Sequence, residues 1–472
     1  MLFRSVVLAA VLTGSLAVTG CVEQNGASPR PGADDESHAP SAGGSSATPG
    51  STACPEAPEY PSPRADRTRY SLALRVPSGP EPVSGRLRVI FRPNRPTSRL
   101  VFRLWANGPR QSREGAHLTV GAVTAGGRRV PAKTTDPTTL VVDPGRRLAA
   151  GDRIAVALPF SLKVPGTTLD RLSRHGTSLR LGSFFPLLAW DPDSGWITEP
   201  ATSSLAESSV SPTADFDVTI HTPAGVQVLA TGREVAPGRW RARAVRDFAI
   251  ATGKFDLASR TLDLGRPVQV TVGIDSHLGG PPGPFLTRLG DALVALADRY
   301  GPYPWPTFSL AVQPDLGGAG IEYPNLVFQG PTSLANATSH EAGHQWFYSL
   351  VGNDQATDPW LDESLATWVG GRQDKTLDFF RSVRIPRAAK RHLGAGMGYW
   401  DRFPEDTYFA GVYAQGLQAL AELGRPAKVD CALRLYAATN AYSIAEPSDL
   451  VDALARIFPD ASRVLASYGV RD

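Results

Sequence analysis

The chain has 472 residues, of which 42% are hydrophobic and 20% are charged. These values are ordinary for globular proteins, so they exclude a mainly disordered chain, and the length predicts two or three domains. The formal charge is +3, from 48 basic and 45 acidic residues, and the chain has no block of Lys or Arg. Composition therefore gives no indication of a nucleic-acid partner.

The N-terminus has the features of an export signal. Arg4 precedes an apolar run over residues 6–18, which is shorter than the roughly 20 residues that span a bilayer and fits a signal peptide. The run ends in LAVTGC at residues 16–21, which resembles a bacterial lipobox, where small residues precede a lipidated cysteine. We predict a signal peptide over residues 1–21 and an exported lipoprotein that Cys21 anchors to the bacterial cell membrane.

The segment after the signal peptide is predicted to be a flexible tether. Residues 22–66 are rich in Ser, Gly, Ala and Pro and show no hydrophobic period. Lipidation of Cys21 leaves Cys54 and Cys431 in an oxidising compartment, where cysteines can pair. We predict a Cys54–Cys431 disulfide, with two unpaired thiols as the alternative, because the sequence does not give their separation.

The hydrophobic period changes near residue 258. Residues 67–257 contain short alternating runs between Gly/Pro turns, such as Leu87–Phe91, and predict an all-β domain. From Phe285 most periodic segments are helical, and residues 258–472 are assigned to a mainly α-helical domain. The predicted helices include residues 333–351, 359–370, 407–423 and 447–457. The chain is therefore expected to be a multidomain α+β protein.

The sequence His340-Glu341-Ala342-Gly343-His344 lies inside the first of these helices. Two His four residues apart stand one helical turn from each other, so both can bind one Zn²⁺ at about 2.0–2.1 Å. Glu341 projects beside them, where it can take a proton from a zinc-bound water without being a ligand. The alternative is an amphipathic helix with two exposed histidines.

Glu363 is the candidate third ligand, because catalytic zinc usually takes three protein ligands and keeps one open position. Asp358 is a plausible N-cap, Pro359 suits the first helical position, and Gly370 and Gly371 are expected to end this second helix. A Glu in a first turn also stabilises the helix dipole by about 0.3–1 kcal/mol without a metal. The residue type alone does not decide between these roles.

The spacing of these residues resembles the signature of the M1 family of zinc aminopeptidases, which is HExxH, eighteen residues and then Glu. His344 and Glu363 have this interval, and WLDESLA at residues 360–366 is similar to the family's WLNEGFA segment. The resemblance implies one Zn²⁺ per chain, held by His340, His344 and Glu363, with Glu341 as the general base.

Two further segments resemble family motifs. GIEYPNL at residues 320–326 is similar to the exopeptidase motif, which lies on an edge strand. By this resemblance Glu322 binds the substrate's α-amino group through a charge-assisted hydrogen bond, and Gly320 lets the substrate backbone approach. YAQG at residues 413–416 resembles the YEKG segment, so Tyr413 is expected to stabilise the tetrahedral intermediate. Tyr408 is the alternative cleft tyrosine, and either tyrosine could instead belong to the core.

The resemblance covers residues 67–472. It implies an N-terminal all-β saddle-like domain and a thermolysin-like, mainly helical catalytic domain, and we expect no large C-terminal helical cap because the chain ends soon after residue 457. The implied function is a zinc-dependent aminopeptidase that hydrolyses the N-terminal bond of peptides with a free N-terminus, outside the cytoplasm. The alternatives are a zinc endopeptidase of the same fold and a non-catalytic peptide-binding lipoprotein.

Overall fold

The computed structural model describes residues 54–204 and 211–471. The predicted signal peptide, Cys21 and residues 22–53 of the predicted tether lie outside the described residues. Glu56–Asp472 forms one compact unit. Cys54 and Cys431 are each disulfide-bonded, in agreement with the predicted bridge. Within the described ranges, no helix has the length and apolar character needed to cross a membrane.

Among its described residues, the N-terminal part consists of strands, one 3₁₀ turn and one α-helix. In chain order its elements are β1 Arg69–Arg75, β2 Val83–Phe91, β3 Leu100–Arg103, the 3₁₀ turn Trp105–Asn107, α1 Pro109–Glu114, β4 His117–Val120, β5 Thr124–Ala125, β6 Arg128–Arg129, β7 Ala132–Asp136, β8 Thr139–Val142, β9 Ile154–Lys163, β10 Leu172–His175, β11 Ser178–Leu181, β12 Leu187–Leu188, β13 Trp190–Asp191, β14 Gly195–Trp196, β15 Ala214–His221, β16 Gln227–Ala230, β17 Arg233–Ala236, β18 Arg239–Val245 and β19 Ile250–Gly253.

The largest sheet of this part has the strand order β17-β18-β15-β1-β2-β9-β5-β6, with β4 beside β9. Buried and exposed residues alternate along β1 and β2, as expected for a sheet that packs one face against a core. Two four-stranded sheets have the orders β10-β11-β19-β16 and β12-β3-β8-β7. The domain predicted to be all-β is β-rich in the structure, and it also contains the short helix α1.

The C-terminal part combines one sheet with most of the helices. Its elements are β20 Phe255–Asp263, β21 Pro267–Asp275, α2 Gly283–Tyr300, β22 Thr307–Val312, β23 Gly320–Tyr323, β24 Leu326–Gln329, α3 Thr338–Gly343, β25 Gly352–Asn353, α4 Trp360–Asp374, α5 Leu377–Ser382, α6 Met397–Trp400, α7 Glu405–Tyr408, a π-helix Phe409–Ala414, α8 Gln415–Leu423, α9 Pro426–Thr439, β26 Ile444–Ala445, α10 Pro447–Ala455 and α11 Ala461–Ser467.

The sheet of the C-terminal part places β23 at an edge, because its strand order is β20-β21-β22-β24-β23. Strands β21, β22 and β24 pair in parallel, whereas β23 runs antiparallel to β24. One continuous hydrophobic core joins the two parts and includes Phe216, Leu293 and Trp346. The edge strand and the helices α3 and α4 carry the residues that form the candidate site.

The helix predicted over residues 333–351 is wrong in extent. Helix α3 covers only Thr338–Gly343. Beyond it, the N–H groups of Ser349 and Leu350 donate to carbonyls five residues earlier, and Tyr348 has a φ of 134°. A positive φ of this kind is incompatible with a regular helix, so the chain turns away after the second histidine.

The second predicted helix also has different ends. Helix α4 begins at Trp360, without a side-chain cap from Asp358, and continues through Gly370 to Asp374. A Cβ on Gly370 would lie 3.1 Å from the backbone nitrogen of His340. This glycine therefore allows two helices to pack closely and does not end its helix. The predicted helix over residues 407–423 is divided into α7, the π-helix and α8.

A buried arginine joins the β-rich part to the chain that follows α3. Arg246, between β18 and β19, donates hydrogen bonds to the carbonyl oxygens of Tyr348 at 2.9 Å and Leu350 at 3.2 Å. It also donates to the carbonyls of Ser211 and Ser443. Burial lowers the pKa of Arg246 to about 10, so the side chain stays charged at neutral pH.

Replacing this arginine should destabilise the protein strongly. In Arg246→Met, several buried carbonyls lose a charged donor, and we expect the free energy of unfolding to fall by about 3 kcal/mol or more. Arg88→Met, an exposed position on β2, is the matched control and should change it by less than about 0.5 kcal/mol. Equal effects in thermal or urea unfolding would show that Arg246 does not hold the two parts together.

Candidate active site

Three side chains from α3, its C-terminal end and α4 converge on one point. The Nε2 atoms of His340 and His344 are 3.1 Å apart. Oε2 of Glu363 lies 3.2 Å from Nε2 of His340 and 3.5 Å from Nε2 of His344. His344 and Glu363 are buried and His340 is partly exposed. The structure thus brings together the three residues that the sequence proposed as metal ligands.

The spacing and chemistry of these donors fit zinc. Two ligands at 2.0–2.1 Å from a tetrahedral zinc lie about 3.3 Å from each other, and the three observed separations of 3.1, 3.2 and 3.5 Å bracket this value. Two imidazoles and a carboxylate are also a common set for catalytic zinc. Nδ1 of His344 lies 3.2 Å from the carbonyl oxygen of Phe347, the kind of partner that orients a metal-binding imidazole.

Glu341 lies beside the candidate ligands in a buried position. Its Oε2 has no hydrogen-bond partner among the described residues, and its ligand atom is within 4.8 Å of those of His344 and Glu322. Burial raises the pKa of Glu341 well above its usual value, and the carboxylates of Glu322 and Glu363 act in the same direction. Both effects make this carboxylate a stronger proton acceptor than a Glu side chain in water.

The edge strand β23 brings Glu322 to the same centre. Glu322 is 5% exposed, and its Oε1 makes no hydrogen bond within the described part of the chain. The strand is tied to the residues that follow α3 by Gln345, whose Nε2 donates to the carbonyl of Tyr323 at 3.1 Å. Gly320 begins the strand, and its Cα faces the side chain of Glu341.

The π-helix places Tyr413 against a candidate ligand. The ring of Tyr413 stacks on that of His340, with 5.7 Å between centroids and 15° between planes. Tyr408 is buried, and its ring contacts those of Tyr413 and Trp400 edge-on. The geometry therefore favours Tyr413 over Tyr408 as the tyrosine of the cleft. A π-helical turn is rare and often occurs at functional sites.

Several known enzymes are similar to part of this chain. No family model matches the chain. Aminopeptidase M1 of Arabidopsis thaliana is 30% identical over 138 residues, which cover 26% of this chain and 15% of that protein. Leukotriene A-4 hydrolase of Xenopus laevis is 34% identical over 87 residues, covering 17% of this chain and 14% of that protein. The chain thus matches only a small part of the length of these curated relatives.

The solved structures match over a much larger range. A two-domain M1 zinc metallopeptidase, a variant bound to L-arginine, has a TM-score of 0.64 and 19% identity, and the match covers 86% of this chain and 94% of that chain. The M1 zinc metallopeptidase of Deinococcus radiodurans has a TM-score of 0.63, 20% identity and the same coverage. The chain has the fold of the M1 zinc metallopeptidases. The predicted fold class is therefore confirmed.

Sequence reasoning missed an arginine that the M1 fold brings to the site from the β-rich part. Arg171, just before β10, places Nη2 3.7 Å from Oε1 of Glu322. The next residue of the strand, Tyr323, also contacts the β-rich part, since its hydroxyl lies 3.0 Å from that of Ser183. Arg171 belongs to no motif, and Glu322 lies 151 positions further along the chain. A sequence pattern has no signal for such a contact.

A second missed feature supports the helix that carries Glu363. Asp430 on α9 accepts hydrogen bonds from the hydroxyl of Tyr300 at 2.8 Å, from Nε1 of Trp368 at 2.9 Å and from Nε of Arg372 at 2.9 Å. Trp368 and Arg372 belong to α4, so this buried carboxylate fixes α4 against α2 and α9. Through these bonds to α4, Asp430 also fixes the position of the candidate ligand Glu363.

Removing the candidate third ligand should weaken zinc binding. Glu363→Gln keeps the shape of the side chain but removes its charge. We expect zinc affinity to fall by more than about 100-fold, because loss of a residue that only hydrogen-bonds to a metal ligand already lowers affinity by roughly 10–100-fold. Glu59→Gln, at an exposed position, is the control. Competitive titration with a chelator measures both variants, and equal affinities would exclude Glu363 as a ligand.

Proposed function

We propose that this protein is a zinc-dependent aminopeptidase that hydrolyses the first peptide bond of peptides with a free N-terminus. The observation that carries the proposal is the position of Glu322, whose ligand atom lies within 4.8 Å of those of Glu341 and His344. In a peptide, the α-nitrogen is about 2.5 Å from the carbonyl carbon of its own residue. An ammonium group held by Glu322 therefore brings only the first carbonyl to the hydrolytic centre.

Each residue of the centre has a role in this reaction. His340, His344 and Glu363 would hold zinc, which supplies Lewis-acid polarisation of the carbonyl and lowers the pKa of a water. Glu341 accepts the proton of the attacking water and returns it to the leaving amine. Tyr413 donates a hydrogen bond to the oxyanion of the tetrahedral intermediate.

The chemistry of known relatives supports this choice of substrate. The plant relative is named an aminopeptidase, and structural neighbours bind L-arginine and L-tryptophan. A free amino acid is the residue that an aminopeptidase releases, so a site of this fold can hold the expected product. Nη2 of Arg171 lies 3.7 Å from Oε1 of Glu322 and helps to hold this carboxylate in place.

We also propose that the protein is exported and anchored in the cell membrane through a lipid on Cys21. The support is the apolar run and lipobox-like segment at residues 6–21, together with the disulfide-bonded Cys54 and Cys431, since disulfides persist in oxidising compartments. In a detergent phase-partition assay of cell extracts, the full chain should enter the detergent phase and Cys21→Ser should not. Identical partitioning of the two would contradict the anchor.

The proposed activity is tested with one peptide prepared with a free and with an N-acetylated terminus. We expect the zinc-loaded protein to release residues one at a time from the free peptide, and not to cleave the acetylated peptide, because acetylation removes the ammonium group that Glu322 binds. Mass spectrometry identifies the products. Internal cleavage of both peptides would indicate an endopeptidase, and no cleavage of either would favour a binding protein.

The role of Glu322 is tested in the same assay. In Glu322→Gln the charge-assisted hydrogen bond becomes a neutral one of roughly half the strength, so kcat/KM for the free peptide should fall by about 10-fold or more. The control is Glu59→Gln, which leaves the site intact. An unchanged kcat/KM in Glu322→Gln would show that this residue does not anchor the amine. That result would not contradict the proposed hydrolytic centre.

A further inference from the structure

A serine on the helix that carries Glu363 reaches the π-helix that carries Tyr413. Ser364 on α4 is completely buried, and its Oγ donates a hydrogen bond of 2.8 Å to the carbonyl oxygen of Val412. Val412 is the residue before Tyr413 in the π-helix. The neighbour of a candidate zinc ligand is thus bonded to the peptide group that leads into the candidate oxyanion donor.

This hydrogen bond constrains the backbone of Tyr413 itself. The atoms of a peptide group lie close to one plane, so a bond to the carbonyl oxygen of Val412 also constrains the nitrogen and Cα of Tyr413. The side chain of a tyrosine is a rigid ring with only two torsions. The position of the Tyr413 hydroxyl therefore depends on the backbone from which its ring extends, and that ring stacks on His340.

A second side chain holds the neighbouring carbonyl of the same turn. Nε2 of Gln415 donates to the carbonyl oxygen of Gly411 at 3.0 Å and to that of Ala389 at 2.9 Å. Gln415 is buried. Because Gly411 and Val412 are consecutive, the two carbonyls that precede Tyr413 each accept a hydrogen bond from a side chain.

Both donors stand where the chain differs from the motifs that it resembles. Ser364 occupies the position of Gly in WLNEGFA, and Gln415 occupies that of Lys in YEKG. A glycine has no side chain that could donate a hydrogen bond. The bond from Ser364 to the π-helix is therefore a feature of this chain and not of the motif.

Close packing of α4 and α8 leaves the Ser364 side chain little freedom. A Cβ on Gly416, the second residue of α8, would overlap both Cβ and Oγ of Ser364. The hydroxyl is thus enclosed between two helices and has the carbonyl of Val412 as its acceptor. A buried hydroxyl that has found an acceptor is costly to move, because the group would lose its partner without gaining water.

We propose that Ser364 is a positioning residue for Tyr413: its hydrogen bond to the carbonyl of Val412 sets where the tyrosine hydroxyl stands in the cleft. The inference rests on the proposed function, because Tyr413 donates to an oxyanion only in that reaction. Ser364 gives its proton to a backbone carbonyl, so it acts through Tyr413 and not on the substrate.

The first experiment compares Ser364→Ala with the matched control Ser333→Ala in the full-length, zinc-loaded chain. Ser333 is equally buried, and its Oγ donates to the carbonyl of Gly330 at 2.7 Å, so both changes remove the same kind of hydrogen bond. Removal of an oxyanion donor lowers kcat by about 10²–10³-fold, and displacement of the donor should cost part of this effect.

We therefore expect Ser364→Ala to keep one zinc per chain and to lower kcat by about 10-fold, with KM changed by less than about threefold. Ser333→Ala should match the wild type in all three quantities. An unchanged kcat in Ser364→Ala, or an equal loss in Ser333→Ala, would overturn the proposal.

The second experiment is a double-mutant cycle with Tyr413→Phe, which removes the hydroxyl that Ser364 is proposed to position. In this background Ser364→Ala should lower kcat by less than about twofold, so the two effects should be non-additive. A serine that only stabilises the fold, or that acts on Glu363, would lower kcat by the same factor with and without the tyrosine hydroxyl. Equal factors would overturn the proposal.

The same four proteins also give a readout that needs no turnover. A phosphinic dipeptide analogue has a tetrahedral phosphorus and imitates the intermediate, whereas L-arginine does not. In calorimetric titrations, Ser364→Ala and Tyr413→Phe should each weaken binding of the analogue, non-additively, with L-arginine affinity changed by less than about twofold.

This readout separates the proposal from the proposed function. If the wild type releases no residue from any free peptide, the proposed function fails, but the affinities still decide whether Ser364 acts through Tyr413. Additive losses of affinity, or equal binding of the analogue by all four proteins, would refute that role.

Discussion

The close approach of α3 and α4 controls the geometry of the candidate zinc site. Two glycines allow this approach: a Cβ on Gly370 would lie 3.1 Å from the backbone nitrogen of His340, and a Cβ on Gly343 would lie 3.0 Å from Cγ1 of Val369. Larger residues at either position would push the helices apart. The 3.2 Å between Nε2 of His340 and Oε2 of Glu363 depends on this contact, because the two donors come from different helices.

The β-rich part contributes to the site through contacts that surround this helix pair. Arg246 holds the chain segment that follows His344 by donating to the carbonyls of Tyr348 and Leu350. Arg171 reaches Glu322 on the edge strand. The candidate active site is consequently a product of the whole compact unit, and not of the helical part alone. This agrees with structural neighbours that match the chain over both parts.

Much of the fold and the metal site could be predicted because these features follow local patterns. The spacing of His340 and His344 fixes two donors on one turn, and alternation of polar and apolar residues defines the strands. Helix ends were harder to predict. A local rule treats Gly370 as a helix end, whereas in the structure this glycine lies within α4 and allows two helices to pack closely. The contact of Arg171 with Glu322 joins residues 151 positions apart, and only the folded chain defines it.

The central claim, that the three convergent donors hold a zinc that is required for aminopeptidase activity, is tested most directly by zinc titration of the metal-free chain from residue 22 onward. Wild type and Glu341→Gln are compared, with bound zinc and released N-terminal residues measured at each step. The account predicts that wild-type activity rises with zinc to one equivalent, and that Glu341→Gln binds one equivalent with activity at least roughly 10²-fold lower. Full activity without zinc, or in Glu341→Gln, would contradict it.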